Sequence, residues 1–139
     1  MSSMVSVRLG KAVEQSAESY LKTSGWTRTA LINTALSEWL RTQTHPGIRF
    51  VQTPTGGRMA TLVGGPEVWT VVESWQQHLP PERTVDSVAV ATGLTRAEVE
   101  CAISYYADYK DEIDAEIDSV HQAQEIARLA WERRQAIYA

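Results

Sequence analysis

Histidine, cysteine and clustered carboxylates are the side chains here with the chemistry to hold a metal or move a proton, and their spacing argues for neither. His45, His78 and His121 fall in a linker, at a helix end and in a tail. No two of them stand at metal-ligand spacing or beside a nucleophile. Cys101 is the only cysteine, so neither an internal disulfide framework nor a multi-thiolate zinc site can form. It lies in an apolar periodic run, where a small packing residue is expected. Acid pairs such as Asp111-Glu112 belong to a charge run of the kind that solvated faces carry. No phosphate loop, dinucleotide fingerprint or nucleophile elbow is present. The expectation is a chain that is not an enzyme and uses no metal or cofactor.

The remaining chemistry is that of binding. Met4, Ser6 and Arg8 alternate with apolar Val5, Val7 and Leu9, the period-two signature of a short strand with one polar face. Arg8 can donate bidentately to the O6/N7 edge of guanine and Ser6 can bond either class of base. Thr27, Arg28 and Thr29 open a helix whose first amides form an anion site. A third group, Arg128, Trp131, Arg133, Arg134 and Tyr138, lies in the tail and combines an aromatic anchor with guanidinium forks suited to carboxylates.

The elements that position these residues follow from periodicity. A helix is expected from about Lys11 to Thr23, with Val13, Ala17, Tyr20 and Leu21 on one face and Gly25 as its C-terminal cap. A second, N-capped by Thr27, runs from Arg28 to about Arg41 and buries Leu31, Ile32, Ala35, Leu36, Trp39 and Leu40. Trp26 reads as a core residue. A lone strand followed by two helices has no sheet partner of its own and buries too little alone, so a second copy must pair with it. Residues 1–44 hold five basic and three acidic side chains, or +2, and the rest eight against fourteen, or −6. Nucleic acid, if bound, is bound at the N-terminal end.

The segment VSVRLGKAVEQSAESYLKTSGWTRTALINTALSEWLR resembles the ribbon-helix-helix (Arc/MetJ/CopG-like) family over about 40 residues. Its alternating strand, inter-helix glycine and the hydroxyl N-cap in GWTRTALI carry the resemblance. It implies an intertwined dimer whose antiparallel ribbon enters the DNA major groove. Met4, Ser6 and Arg8 would be the base-facing set, with Thr27, Arg28 and Thr29 on the phosphate backbone. Pairing for dimerisation without DNA contact is the plainer alternative.

His45-Pro46-Gly47 ends the second helix. Ile48–Val51 and Arg58–Val63 flank Pro54-Thr55-Gly56-Gly57 and read as a hairpin. Gly64-Gly65-Pro66 then starts a helix at about Pro66, with Val68, Trp69, Val72 and Trp75 in one stripe, ending before Pro80-Pro81. Thr84 caps a short helix containing Val85, Val88 and Ala89, and Gly93-Leu94-Thr95 turns into a longer one through Val99, Ala102, Ile103 and Tyr106. This spacing is that of a helix-turn-helix. It reads either as a structural three-helix core or as a second DNA contact, and Glu98, Glu100, Asp108, Asp111 and Glu112 argue against phosphate binding there.

From HPGIRF to YYADYKDEIDAEI, residues 45–118 resemble a winged-helix-like antitoxin domain found beside PIN-type ribonuclease toxins (VapB-like). Residues 119–139 read as a helical tail that either folds back on its own domain or binds a partner. The expected fold class is thus mainly α: an N-terminal ribbon-helix-helix, a hairpin plus three-helix winged-helix-like domain, and a helical tail. By resemblance the chain is a cytoplasmic antitoxin that represses from its own operator DNA as a homodimer and neutralises a co-encoded toxin, a PIN-type ribonuclease. The alternative is a stand-alone repressor or plasmid copy-control protein whose second domain binds a ligand or protein. No apolar run approaches the roughly 20 residues of a membrane span.

Overall fold

The computed structural model describes residues 3–139; the first two positions of the expected N-terminal domain lie outside them. Six helices and one two-stranded antiparallel sheet make up the described chain. No helix is long and apolar enough to cross a membrane. Two compact units divide between Leu40 and Arg41.

Unit 1 contains α1 (Lys11–Ser24) and most of α2 (Arg28–Thr44). Gly25 ends α1 in the left-handed conformation, φ 74°, which glycine adopts without a Cβ penalty. The α2 start is capped as expected: the Ala30 amide donates to Thr27 Oγ1 at 3.1 Å. The strand expected over Met4–Leu9 is absent from the single chain, where residues 3–10 carry no regular structure. A ladder is made of hydrogen bonds to a neighbour, and within one copy this segment has none to pair with. Neither α1 nor α2 buries a residue.

Unit 2 opens with the last turn of α2 and the hairpin β1 (Ile48–Gln52) and β2 (Arg58–Leu62), in register Ile48↔Leu62 through Gln52↔Arg58. The turn between them closes on Thr53, which bonds the Gly56 and Gly57 amides through its carbonyl and hydroxyl. Then come α3 (Val68–Gln77), α4 (Val85–Thr92), α5 (Arg96–Asp108) and α6 (Lys110–Tyr138). α3 starts two residues later than the proline suggests. The Pro66 carbonyl accepts from the Leu62 amide, and Glu67 bridges Thr61, so the chain is still extending the hairpin edge there. Thr84 and Thr95 cap α4 and α5, the latter with a full capping box to Glu98.

One core fills unit 2. Ile48, Ala60 and Leu62 project from one face of the hairpin onto Val68, Val71 and Val72 of α3, Val88 of α4, Val99, Ala102 and Tyr105 of α5, and Ile113 and Ile117 of α6. Val71 replaces the tryptophans at the centre of the expected α3 stripe, and Trp69 and Trp75 pack at its edge. Cys101 packs as expected: a Cβ on Gly47 would lie 2.7 Å from its Sγ, and burial pushes its thiol up, away from reactivity. α6 continues unbroken through residues 118 and 119, where the expected boundary between domain and tail would fall.

Candidate DNA-binding and partner-binding sites

In unit 1 the candidate base-reading residues Met4, Ser6 and Arg8 are all exposed, Met4 at 99%. The start of α2 is better defined. Thr27 Oγ1 satisfies the Ala30 amide, while helix geometry leaves the Arg28 and Thr29 amides without an intrahelical partner. Those two amides and the positive end of the helix are the elements an anionic oxygen requires. The Arg28 guanidinium is ion-paired with Glu18 of α1, so a phosphate must compete with that carboxylate. Trp26 stands edge-on to Tyr20, ring centroids 6.1 Å apart, and ties the loop to α1.

Unit 2 holds a polar cluster that sequence reasoning missed. Arg41 Nη1 donates to the Tyr105 hydroxyl at 2.8 Å and to both Glu112 carboxylate oxygens at 2.9 and 3.1 Å. Tyr105 in turn donates to Glu112 at 2.8 Å. Burial pushes the Tyr105 hydroxyl well above its ordinary range, and the bond to Glu112 adds to the shift, so it stays protonated and donating. The Arg41 guanidinium lies 4.0 Å from the Tyr109 ring centroid, a cation–π distance. His45, buried and edge-on to Tyr105, places Nε2 2.7 Å from Asp108.

His45, Asp108 and Glu112, read as linker and charge run, are therefore internal braces. The signal was available: Tyr105, Asp108, Tyr109 and Glu112 stand at helical spacings, and Arg41 is the one basic residue in the last turn of α2. Arg41, Tyr105 and Glu112 are each bonded to one another, and His45 to Asp108, within the cluster.

Helices α4 and α5, expected from their spacing as a helix-turn-helix, bury Val88, Val99, Ala102 and Tyr105 in the common core. Arg96, the cation on the solvent side of α5, is bonded to Asp86 at 2.5 Å and Glu100 at 3.2 Å. With that charge already paired, electrostatics favour the structural reading of this pair over phosphate contact.

The tail does not fold back. From residue 121 onward every position is exposed except Ala130, which is intermediate. His121 still reaches Glu73 of α3, and beyond it α6 stands clear of its unit. The tail candidates sort onto different faces. Arg128 is held between Glu125 and Glu132 one turn away on each side. Trp131, Arg134 and Tyr138 follow one another at spacings of three and four and share a stripe, with Trp131 at 55% and Tyr138 at 77% exposure. Arg133 flanks that stripe.

Comparison with family models, curated proteins and solved structures returned no match.

Proposed function

We propose that this chain is a DNA-binding antitoxin: a homodimer whose unit 1 is a ribbon-helix-helix that grips operator DNA, and whose unit 2, of winged-helix type, presents α6 to a toxin. The observation that carries the reading is the missing core of unit 1. None of its described residues is buried, while Val5, Val7, Val13, Ile32, Leu36 and Leu40 are exposed. Burying apolar area is worth about 25 cal/mol per Å², and a unit of this size that buries none of these side chains is completed by a second copy. Pairing of the two 4–9 segments would supply the missing ladder and turn Met4, Ser6 and Arg8 together to one side.

On that arrangement Arg8 and Ser6 read bases, and the Arg28 and Thr29 amides hold phosphates. A toxin with an acidic metal site, such as a PIN-type ribonuclease, suits a tail that pairs Trp131 with Arg133 and Arg134. The test is binding to the DNA upstream of its own reading frame, measured by fluorescence anisotropy on wild type and Arg8→Ala. Wild type should bind as a dimer, and the variant should remain dimeric with affinity reduced more than tenfold. A protein monomeric at micromolar concentration, or equal affinity in both, overturns the reading.

A further inference from the structure

The exposed part of α6 continues a buried seam. Ile113, Ile117, Val120, Gln124, Ala127, Trp131, Arg134 and Tyr138 succeed one another at alternating steps of four and three, the spacing that keeps one line of side chains facing a packed neighbour. The seam begins as core: Ile113 is fully buried and Ile117 5% exposed. It then runs out of its own unit, and alongside it lie Ala123, Ala130 and Ile137, the last 83% exposed.

We propose that this face is covered by the same face of a second copy, the two helices running antiparallel with the two-fold axis level with position 129. Self-complementarity selects that occupant and direction. In the antiparallel register Val120 meets the second copy's Tyr138, Gln124 meets Arg134, and Ala127 meets Trp131. Each layer sets a small or neutral residue against a large or charged one. Ala123 then lies along Ile137 on the flank, and Ala130 lies beside its own counterpart, where a side chain of one carbon permits close approach.

Charge points the same way. A parallel pair would stack Arg134 on Arg134 and Trp131 on Trp131, placing like charges within the seam. The antiparallel pair sets the guanidinium against a carboxamide whose oxygen can accept from it. At the outer edge Arg128 meets Arg128, each already neutralised by Glu125 and Glu132. The contact is isologous and closes on itself, as a two-fold interface does. The inference goes beyond the antitoxin reading and rests on α6 alone; a toxin that uses Trp131 must displace the second helix.

The experiment is site-directed cross-linking of the full chain in a Cys101→Ala background, with a short bis-maleimide and single cysteines at 122, 127 or 130. Antiparallel pairing makes Ala130→Cys the strongly cross-linked variant, several-fold above Ala127→Cys and Gln122→Cys. Ala130→Glu, which sets two carboxylates side by side next to the axis, should raise amide exchange across residues 120–138 at least tenfold while leaving 48–117 protected. Preferential linking through Ala127→Cys, equal and low linking at all three positions, or protection of the tail only when a purified nuclease is added would each overturn the proposal. Operator affinity measured on the same variants reports separately on unit 1.

Discussion

Arg41 and Glu112, 71 positions apart in the chain, meet through two hydrogen bonds on a single guanidinium nitrogen, and Tyr105 closes the triangle by bonding both. The arrangement ties the last turn of α2 to the first turn of α6 beside the packed rings of Tyr105 and Tyr109. Removing the cation leaves the Glu112 carboxylate, half-buried, with the Tyr105 hydroxyl as its remaining partner in the triangle. Arg41→Leu should therefore lower the stability of unit 2 by about 1–3 kcal/mol, read from the urea midpoint. Arg41→Lys should recover only part of it, because a compact ammonium can still donate to Tyr105 and Glu112 but lacks the planar face that lies over Tyr109. An unmoved midpoint in Arg41→Leu would show that the triangle contributes nothing net.

Glu116 sets a pH dependence. One of its carboxylate oxygens is buried without a hydrogen-bond partner among the described residues, and burial, with Glu112 and Glu67 adding, pushes its acid up to about 7. The folded chain keeps that proton where the unfolded chain, with an ordinary carboxylate, has released it. Stability from this group is therefore complete below about pH 4.3, declines as pH rises through the window up to 7, and is lost above it. Thermal midpoints from pH 5 to 8 should fall in wild type and flatten in Glu116→Gln; parallel profiles would remove Glu116 as the source.

Gly47 and Cys101 form a steric pair. With 2.7 Å between a Cβ at 47 and the Cys101 sulfur, Gly47→Ala should cost about 1–3 kcal/mol through overpacking. The double variant Gly47→Ala/Cys101→Ala should regain most of that loss. Additive losses in the two single variants and the double would show the sites to be uncoupled.

On the proposed antitoxin reading, deleting residues 119–139 should abolish neutralisation of a co-encoded toxin and leave operator affinity within twofold. Co-expression rescue and anisotropy on the truncated protein read the two effects. Loss of DNA binding on truncation would mean that the tail supports unit 1 after all.

Local signals carried much of the architecture. Gly25 and Gly93 at left-handed caps, Thr27, Thr84 and Thr95 as N-caps, and the hairpin turn around Gly56 are short-range chemistry, and each was readable from a few neighbours. The α3 start was misplaced because Pro66 spends its carbonyl on Leu62 of the hairpin, a contact that no local rule contains. Tyr105 was passed over for its neighbour Tyr106 because both fit an amphipathic helix; only the convergence of Arg41 and Glu112 from distant positions decides which ring turns inward. The 4–9 segment is the opposite case, where a strand pattern is plain in the sequence but the described residues of the single chain offer no strand beside it to pair with.

The protruding end of α6 also sets an order of destruction. Proteases cut extended chain, so a helix must open first, and opening from Ala139 inward in an uncovered copy breaks helix bonds but few packing contacts until Ile117 is reached. Trimming thus removes Tyr138 and then Trp131 while the hairpin core and unit 1 persist. A worn copy loses the exposed Trp131–Tyr138 stripe first, and the lifetime of that surface is shorter than the lifetime of the folded chain.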